Sequence, residues 1–239
     1  MESELERIWV YLSAKPLTGL TVTLVAYVIG DWIYTKAGRL PLLNPVLIAV
    51  AVVIALLTLT ETPYRTYFDG AQFVHFMLGP ATVALAVPLY QQFERVRRSA
   101  LAIVTAIVAG SLAASASAFG VAWALGATRE SVASIVPKSV TTPIAMGISE
   151  QLGGLPSLTA VLVILTGILG AMLGTYVLNA LRIKDWSARG LAMGTAAHGI
   201  GTARAIQVNP VAGAFSGLAM GLNGLATAIL LPLLYKLFF

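Results

Sequence analysis

The residues best suited to chemistry lie in one stretch, PKSVTTPIAM, which runs from Pro137 to Met146. The polar side chains between its two prolines are Lys138, Ser139, Thr141 and Thr142. A proline in a helix interior removes one backbone donor and blocks an acceptor, so Pro137 and Pro143 predict a broken helix. Broken backbone inside a bilayer is tolerated only against protein or a water-filled cavity. The stretch therefore predicts a polar pocket with an intramembrane lysine, which is a functional-site hypothesis by default.

A second stretch, AAHGIGTARA, lies 60 positions further along, from Ala196 to Ala205. At this shift His198 falls opposite Lys138, and Gly199 and Gly201 replace the prolines as flexible elements. The same shift pairs Arg129 with Arg189, Val140 with Ile200, Thr142 with Thr202, Ala145 with Ala205, Gly153 with Gly213 and Leu158 with Leu218. The pattern predicts two inverted repeats, about 129–188 and 189–239, each with one broken segment and one full span.

The two stretches together predict a pocket with a net positive charge. Lys138, Arg204 and a protonated His198 supply cations, and no Asp or Glu lies in either core. Half-helix N-termini, hydroxyls and a cation together favour a small anion and argue less well for a cation channel, which would need acidic rings or carbonyl filters. The predicted substrate-binding residues are Lys138, Ser139, Thr141, Thr142, His198, Thr202, Arg204 and Asn223. The predicted helix breaks are Pro80, Pro137, Pro143, Gly199 and Gly201.

Each of these residues also has a purely structural interpretation. Lys138 can snorkel from a helix end to the interface, and His198 can simply hydrogen-bond a neighbouring carbonyl. Arg204 can be an interfacial residue that sets topology. The threonines can bond back to carbonyls of their own helix. Asn223 is either helix–helix glue or a pocket wall.

The composition identifies the class of protein that must hold the pocket. Of 239 residues, 58% are hydrophobic and only 10% charged, which excludes an ordinary soluble domain. We therefore predict an all-α polytopic membrane protein, in which the 22 glycines let helices pack closely. The 15 Lys and Arg residues stand in short loops, as topology determinants do, and do not indicate nucleic-acid binding.

Catalytic and metal-binding patterns are missing from the sequence. It contains no GxSxG, HExxH or P-loop motif, and no cysteine. Two histidines alone do not make a usual metal site. We therefore expect no enzyme activity, no metal and no cofactor.

Apolar segments of about 20 residues predict six full spans in addition to the broken segments. They are Leu17–Tyr34, Leu42–Leu59, Phe73–Tyr90, Leu101–Leu125, Leu155–Leu181 and Gly213–Leu234. A polar connector, Glu61–Gln72, precedes the third, which Pro80 and Pro88 interrupt. The fourth is rich in Gly, Ala and Ser and is expected to be a tightly packed interior helix.

Basic loops set the predicted topology. If every segment crossed, the loops Arg95–Arg98 and Arg182–Arg189 would lie on opposite sides, which the positive-inside rule disfavours. A re-entrant hairpin over Ser131–Gly153 places both in the cytoplasm, with the acidic N-terminus outside. Residues 1–100 are then expected to form a scaffold with a dimer interface, and residues 101–239 the motif-bearing transport region.

Four motifs resemble the LrgB/CidB family of membrane proteins, from about Leu42 onward. They are GPATVALAVPLYQQ (Gly79 to Gln92), PKSVTTPIAMGISEQLGGLPSLTA (Pro137 to Ala160), RGLAMGTAAHGIGTARA (Arg189 to Ala205) and GAFSGLAMGLNG (Gly213 to Gly224). Family members often carry an acidic residue just before GAFS, where this chain has Ala212. If this carboxylate serves coupling in the family, this protein is expected to couple transport differently.

The resemblance implies two functions. The family is described as antiholin-like, acting on murein hydrolase export and autolysis with a small LrgA/CidA-like holin-like partner. Its plastid relatives look like glycolate/glycerate translocators, and bacterial members are implicated in pyruvate movement. Together with the predicted pocket, this favours a secondary transporter of small monocarboxylates in the inner membrane that forms a homodimer and works by alternating access. The alternative is an antiholin-like regulator without a substrate.

Overall fold

The computed structural model describes residues 16–77, 80, 83–84 and 86–238, and all regular structure in that part of the chain is helical. The helices are α1 (Pro16–Lys36), α2 (Pro45–Leu59), α3 (Tyr64–Phe76), α4 (Ala86–Gln91), α5 (Phe93–Arg98), α6 (Ala100–Ala124), α7 (Arg129–Ile135), α8 (Thr142–Gln151), α9 (Pro156–Ala180), α10 (Trp186–Val208) and α11 (Pro210–Phe238), with a 3₁₀ turn at Pro41–Leu43. The acidic N-terminal residues, which we predicted to lie outside, fall outside the described residues.

Four of the described helices are long and apolar enough to cross a bilayer, namely α1, α6, α9 and α11. The apolar helix α2 has only 15 residues, which is shorter than a usual span. The protein is thus a helical membrane protein, as its composition predicted, while the number of six full spans stays a prediction.

The chain divides into two compact units, residues 1–84 and 85–239. In the first unit, α1 packs against α2 and α3 at glycines. Gly19 lies directly against the backbone of α3 at Tyr67, and Gly30 against the carbonyl of Pro45. The hydroxyls of Thr23 and Tyr67 form a hydrogen bond of 2.7 Å. The predicted functional boundary near residue 100 stays a prediction.

The prediction that Glu61–Gln72 is a polar connector is wrong for most of its length, because helix α3 begins at Tyr64. Its polar residues misled the prediction, but its aromatic rings pack on one another, with Tyr64 stacked on Phe68 one turn later. The predicted third span is divided between α3 and α4. Pro80 is helical. Its neighbours Leu78, Gly79, Ala81 and Thr82 lie outside the described residues.

Helix α6 is not the interior helix that its small residues predicted. It buries one stripe, formed by Ile103, Ile107, Ser111, Ala118 and Ala122, and exposes most of its other residues. The stripe packs on α11, where Phe215 and Ala219 join the isoleucines in one core. Small residues permit close packing in lipid but do not by themselves bring a second helix to every face.

Helices α7 and α8 form a hairpin, which we call hairpin 1 (Arg129–Gln151), with its tip at residues 136–141. The chain folds back against α7, because the backbone N–H of Leu155 donates to Ser134 Oγ near the end of that helix at 2.8 Å. Gly154 also lies against the backbone of Ala133 and Ser134, where a Cβ would clash. This fold-back is the shape that the predicted re-entrant segment Ser131–Gly153 requires.

Helix α10 is also folded back on itself, at His198, and we call it hairpin 2 (Trp186–Val208). His198 has φ 41° and ψ −131°, far from helical values. A Cβ on Gly201 would lie 2.7 Å from the carbonyl oxygen of Met193. In a straight helix eight residues span about 12 Å, so this contact requires a reversal. Met193 and Ala205 accordingly share one core cluster.

The two hairpins begin at opposite ends of α9. Hairpin 1 closes against Leu155, just before this 25-residue helix, whereas hairpin 2 begins shortly after it, at Trp186. The chain from Arg129 onward is therefore a hairpin followed by a long helix, twice over, at close to the 60-residue shift seen in the sequence. Gly167, Gly170 and Gly174 of α9 lie against hairpin 2, which brings their backbones close together.

Candidate functional site

The tip of hairpin 1 carries the lysine that the sequence singled out. Lys138 is half-buried, and its Nζ lies 3.3 Å from the hydroxyl of its neighbour Ser139, which is buried. The one ion pair among the described residues joins Arg95 and Asp185, so no described carboxylate neutralises Lys138. A partly desolvated ammonium without a carboxylate favours the approach of an anion.

The start of α8 adds hydroxyls and backbone donors at the same tip. Thr141 is the N-cap residue, but its side chain does not cap the helix, and Pro143 stands in the first turn. Both Thr141 and Thr142 are half-buried. The first N–H groups of a helix have no partner within it and carry a partial positive charge. Lys138, Ser139, Thr141 and Thr142 therefore lie together at the tip, as predicted.

His198 forms the tip of hairpin 2, and its ring is held by α9. Its Nε2 lies 2.9 Å from the carbonyl oxygen of Val163, in a buried position. Because a carbonyl only accepts, Nε2 carries the proton. Gly167 makes room for the ring, since a Cβ there would lie 2.6 Å from His198 Cε1. The structural interpretation of His198, a hydrogen bond to a carbonyl, thus describes what this ring does.

Thr202 likewise makes the back-bond that was its structural alternative. Its hydroxyl donates to the carbonyl of His198 at 2.8 Å and contacts the hydroxyl of Ser216 at 2.9 Å. All three residues are buried. These bonds stabilise the reversal at His198 and attach it to α11. Gly201 is required beside the tip, because it touches the other arm of the hairpin.

Asn223 of α11 connects the two breaks. Its Nδ2 donates to the carbonyl of Ser139 at 3.0 Å and to the carbonyl of Thr195 at 3.1 Å. The first acceptor lies at the tip of hairpin 1 and the second in the arm of hairpin 2 just before its tip, so one amide joins the two hairpins near their tips. Asn223 is only 1% exposed, and its Oδ1 has no partner among the described residues. The Asn223 side chain therefore acts here only as a hydrogen-bond donor, to the backbone carbonyls of the two hairpins.

Arg204 lies apart from the two tips. It is half-buried and shares a small surface depression with Trp186 and Arg189, at the base of hairpin 2. The guanidinium of Arg189 stacks over the Trp186 ring at 5.2 Å. The structure thus brings seven of the eight predicted binding residues to the region of the tips. Arg204, the eighth, lies near the base of hairpin 2.

A cavity of about 580 Å³ lies between α6 and α11 and is not the predicted polar pocket. Its lining is mainly apolar and aromatic, with Phe119, Trp123 and Leu231, and Val136 is its contribution from hairpin 1. None of the predicted binding residues lines it. Among the described residues, no group of three or more His, Cys, Asp or Glu is placed to hold a metal ion.

An ion pair between the two basic segments was not predicted from the sequence. Arg95 of α5 donates to the carboxylate of Asp185 at 2.9 Å. Asp185 also caps α10 by accepting from the backbone N–H of Ala188. This hydrogen bond, with the guanidinium of Arg95, holds the pKa of the Asp185 carboxyl below its ordinary value. Such a contact joins residues 90 positions apart, which spacing alone does not reveal.

Comparison with known proteins places the site in a family. The model of the LrgB-like family matches residues 23–237. An uncharacterized protein, YwbG, of Bacillus subtilis (strain 168) is 38% identical over 91% of this chain and 96% of its own length. An uncharacterized protein of Haemophilus influenzae is 36% identical over 89% of this chain and 93% of its own length.

A third relative has a name that points to function. The antiholin-like protein LrgB of Bacillus cereus (strain B4264) is 34% identical over 91% of this chain and 95% of its own length. No solved structure matches the chain significantly. The matched region includes both hairpins and both long helices that follow them.

Proposed function

The chain belongs to the LrgB-like family, and from that premise and the geometry of the two hairpins we propose that it is a secondary transporter of small monocarboxylates in the cell membrane. The substrates would be anions of the size of pyruvate, glycolate or glycerate. The carboxylate would bind at the tip of hairpin 1, between Lys138 and the N-terminus of α8. His198, Thr202 and Asn223 would form the opposing wall.

One observation carries this proposal. Lys138 is a half-buried cation without a described carboxylate partner, beside two backbone breaks that meet at Asn223. A buried unpaired charge is costly, and proteins keep such groups inside membranes chiefly where they serve a pathway or a ligand. A substrate carboxylate would relieve this cost when it binds.

The placement of the hairpins supports alternating access. Their bases lie at opposite ends of α9, and their tips meet between those ends. Inverted repeats with broken helices that meet at the midplane are the construction of many secondary transporters. We propose that the two hairpin-and-helix units are such repeats and that the protein works as a homodimer.

Reconstituted transport tests the proposal. Purified protein in liposomes should take up radiolabelled pyruvate or glycolate down a concentration gradient. Lys138→Met should weaken uptake at low substrate by about tenfold to about 150-fold, which is the effect of losing a charge-assisted contact of about 1.5–3 kcal/mol. Lys138→Arg should restore it only in part, because the guanidinium is larger and planar.

Lys184 provides the matched control, since it is an exposed lysine in the loop before α10. Lys184→Met removes the same charge and should leave uptake unchanged. The proposal is wrong if wild-type protein moves neither acid, or if the two lysine variants behave alike while remaining monodisperse in detergent.

The second candidate function is regulation of a holin-like membrane protein, and the name of the Bacillus cereus relative favours it. A regulator has no need of an unpaired lysine at a hairpin tip. Co-reconstitution with a small holin-like partner should then reduce the release of a trapped dye from liposomes. Lys138→Met should leave this inhibition intact if regulation is the function, and uptake of labelled acid should be absent.

A further inference from the structure

We propose that His198 and Asn223 are positioning residues that form two crossed ties, each fastening the tip of one hairpin to the long helix of the other repeat. The two tips would then be held and released together. This inference goes beyond the proposed function, because it concerns how the tips are held, whatever the protein moves.

The first tie runs from hairpin 2 to α9. The ring of His198 donates from Nε2 to the carbonyl oxygen of Val163 at 2.9 Å. His198 is 4% exposed and Val163 is fully buried, so water does not compete for this bond. Gly167, one turn further along α9, leaves the space that the ring occupies.

The second tie runs from α11 to hairpin 1. Asn223 donates to the carbonyl oxygen of Ser139 at 3.0 Å, again in a buried position. The 60-residue shift converts Val163 into Asn223 and Lys138 into His198. The two ties therefore use the same position on the long helix of each repeat, Val163 and Asn223, and tip positions that differ by one residue, because the second tie is made at Ser139 beside Lys138. A single packing accident would not produce both contacts.

Asn223 also joins the two ties to each other. Its second amide hydrogen binds the carbonyl oxygen of Thr195, in the arm of hairpin 2 just before His198. If hairpin 1 moves away, Asn223 loses its bond to Ser139. Its remaining bond is to Thr195, in the arm of hairpin 2 that leads to His198 and the first tie. Groups in one hydrogen-bond network are energetically coupled, so loosening one tip should loosen the other.

Thiol labelling tests the proposal directly, because the chain contains no cysteine. One reporter is Ser139→Cys at the tip of hairpin 1, and the other is Gly199→Cys at the tip of hairpin 2. Each reporter is combined with Asn223→Leu, which cuts one tie, or with Gly167→Ala. A Cβ on residue 167 would lie 2.6 Å from the His198 ring and displace it without changing either tie residue. The rate of maleimide labelling is measured in detergent and in liposomes.

Either change should speed labelling at both reporters by about two- to tenfold, the factor that the net value of one hydrogen bond produces in an equilibrium constant. The control for Asn223→Leu is Thr227→Val, on the same helix as Asn223, which removes a buried hydrogen bond between Thr227 and Ser111 of α6. The control for Gly167→Ala is Gly221→Ala, where a Cβ would meet open space. Both controls should leave the labelling rates unchanged.

The proposal is overturned if each change speeds labelling only at the nearer reporter, or at neither. If Asn223→Leu yields no folded protein, Gly167→Ala still decides, because it acts on the other tie. The readout requires no transport, so crossed effects on labelling together with absent uptake would reject the proposed function alone. If the wild type takes up the acid, the variants do not, and each change speeds labelling only at the nearer reporter, the ties alone would be rejected.

Discussion

His198 holds a backbone conformation that L-residues rarely adopt. Its φ of 41° with ψ of −131° lies outside the helical and extended regions. Such strain costs about 1–3 kcal/mol and persists only where surrounding contacts enforce it. Here the enforcing contacts are the bonds to Val163 and Thr202. The site thus combines a strained residue with two fixed partners.

This strain predicts an unusual order of stabilities. His198→Gly and His198→Ala both delete the ring and its hydrogen bond, but only glycine accepts the backbone conformation without strain. The glycine variant should therefore be more stable than the alanine variant by about 1–3 kcal/mol. Thermal unfolding in detergent, followed by circular dichroism or a thiol-free dye assay, measures the difference.

Ala192 supplies the control for this comparison. It is an exposed helical residue in the first arm of hairpin 2. There Ala192→Gly should lower stability by about 0.5–1 kcal/mol, the usual cost of glycine within a helix. If alanine is as stable as glycine at position 198, the strain is relieved elsewhere in the hairpin.

At the scale of elements, Asp185 determines how hairpin 2 begins. It caps the helix through Ala188 and pairs with Arg95, and both partners lower its pKa. Asp185→Ala should cost about 1 kcal/mol of stability through loss of the cap. Asp185→Asn keeps a capping oxygen and should cost less. The ion pair itself adds little, because both side chains are about half exposed.

The lowered pKa gives this prediction a pH dependence. A carboxyl whose folded pKa lies below its unfolded value stabilises the protein above the unfolded pKa, near 4. That contribution is lost as the pH falls through the folded value. Between about pH 5 and pH 3 wild type should therefore lose more stability than Asp185→Asn. Parallel unfolding curves of the two proteins over this range would contradict the assignment.

The two breaks could be predicted from sequence because proline and glycine act locally. Pro137 follows the end of α7, Pro143 stands in the first turn of α8, where a proline is tolerated, and the glycines beside His198 permit a reversal. The contacts that join the breaks could not be predicted in this way. Asn223 and Ser139 are 84 positions apart, and His198 and Val163 are 35 apart.

Predictions from local composition were wrong for two helices. The residues from Tyr64 to Gln72 contain charges, yet they form a helix because their aromatic rings and a close approach to α1 stabilise it. The small residues of α6 predicted burial, yet only one stripe is covered. Composition reports what a face permits, and only the partner helix decides whether the face is buried.

At the scale of the whole chain, the second unit places its two basic segments side by side. The 2.9 Å pair of Arg95 and Asp185 joins the end of α5 to the start of α10. Between them lie α6, hairpin 1 and α9. Because hairpin 1 folds back on itself, only α6 and α9 lead away from this end and return to it. The basic loops predict the same arrangement when the Ser131–Gly153 segment is taken as re-entrant, and that this segment does not cross the membrane stays a prediction.

This arrangement predicts one membrane side for both basic segments, and the positive-inside rule makes it the cytoplasm. Glu94 and Lys184 are exposed residues of these segments. In the cysteine-free chain, Glu94→Cys and Lys184→Cys should both resist a membrane-impermeant maleimide added to intact cells. Both should react after the membrane is opened.

Gly126→Cys, in the loop between α6 and α7, should react from outside, because α6 separates it from Glu94. Labelling of residues 94 and 184 from opposite faces would mean that hairpin 1 crosses the bilayer, and the inverted repeats would then be wrong as well.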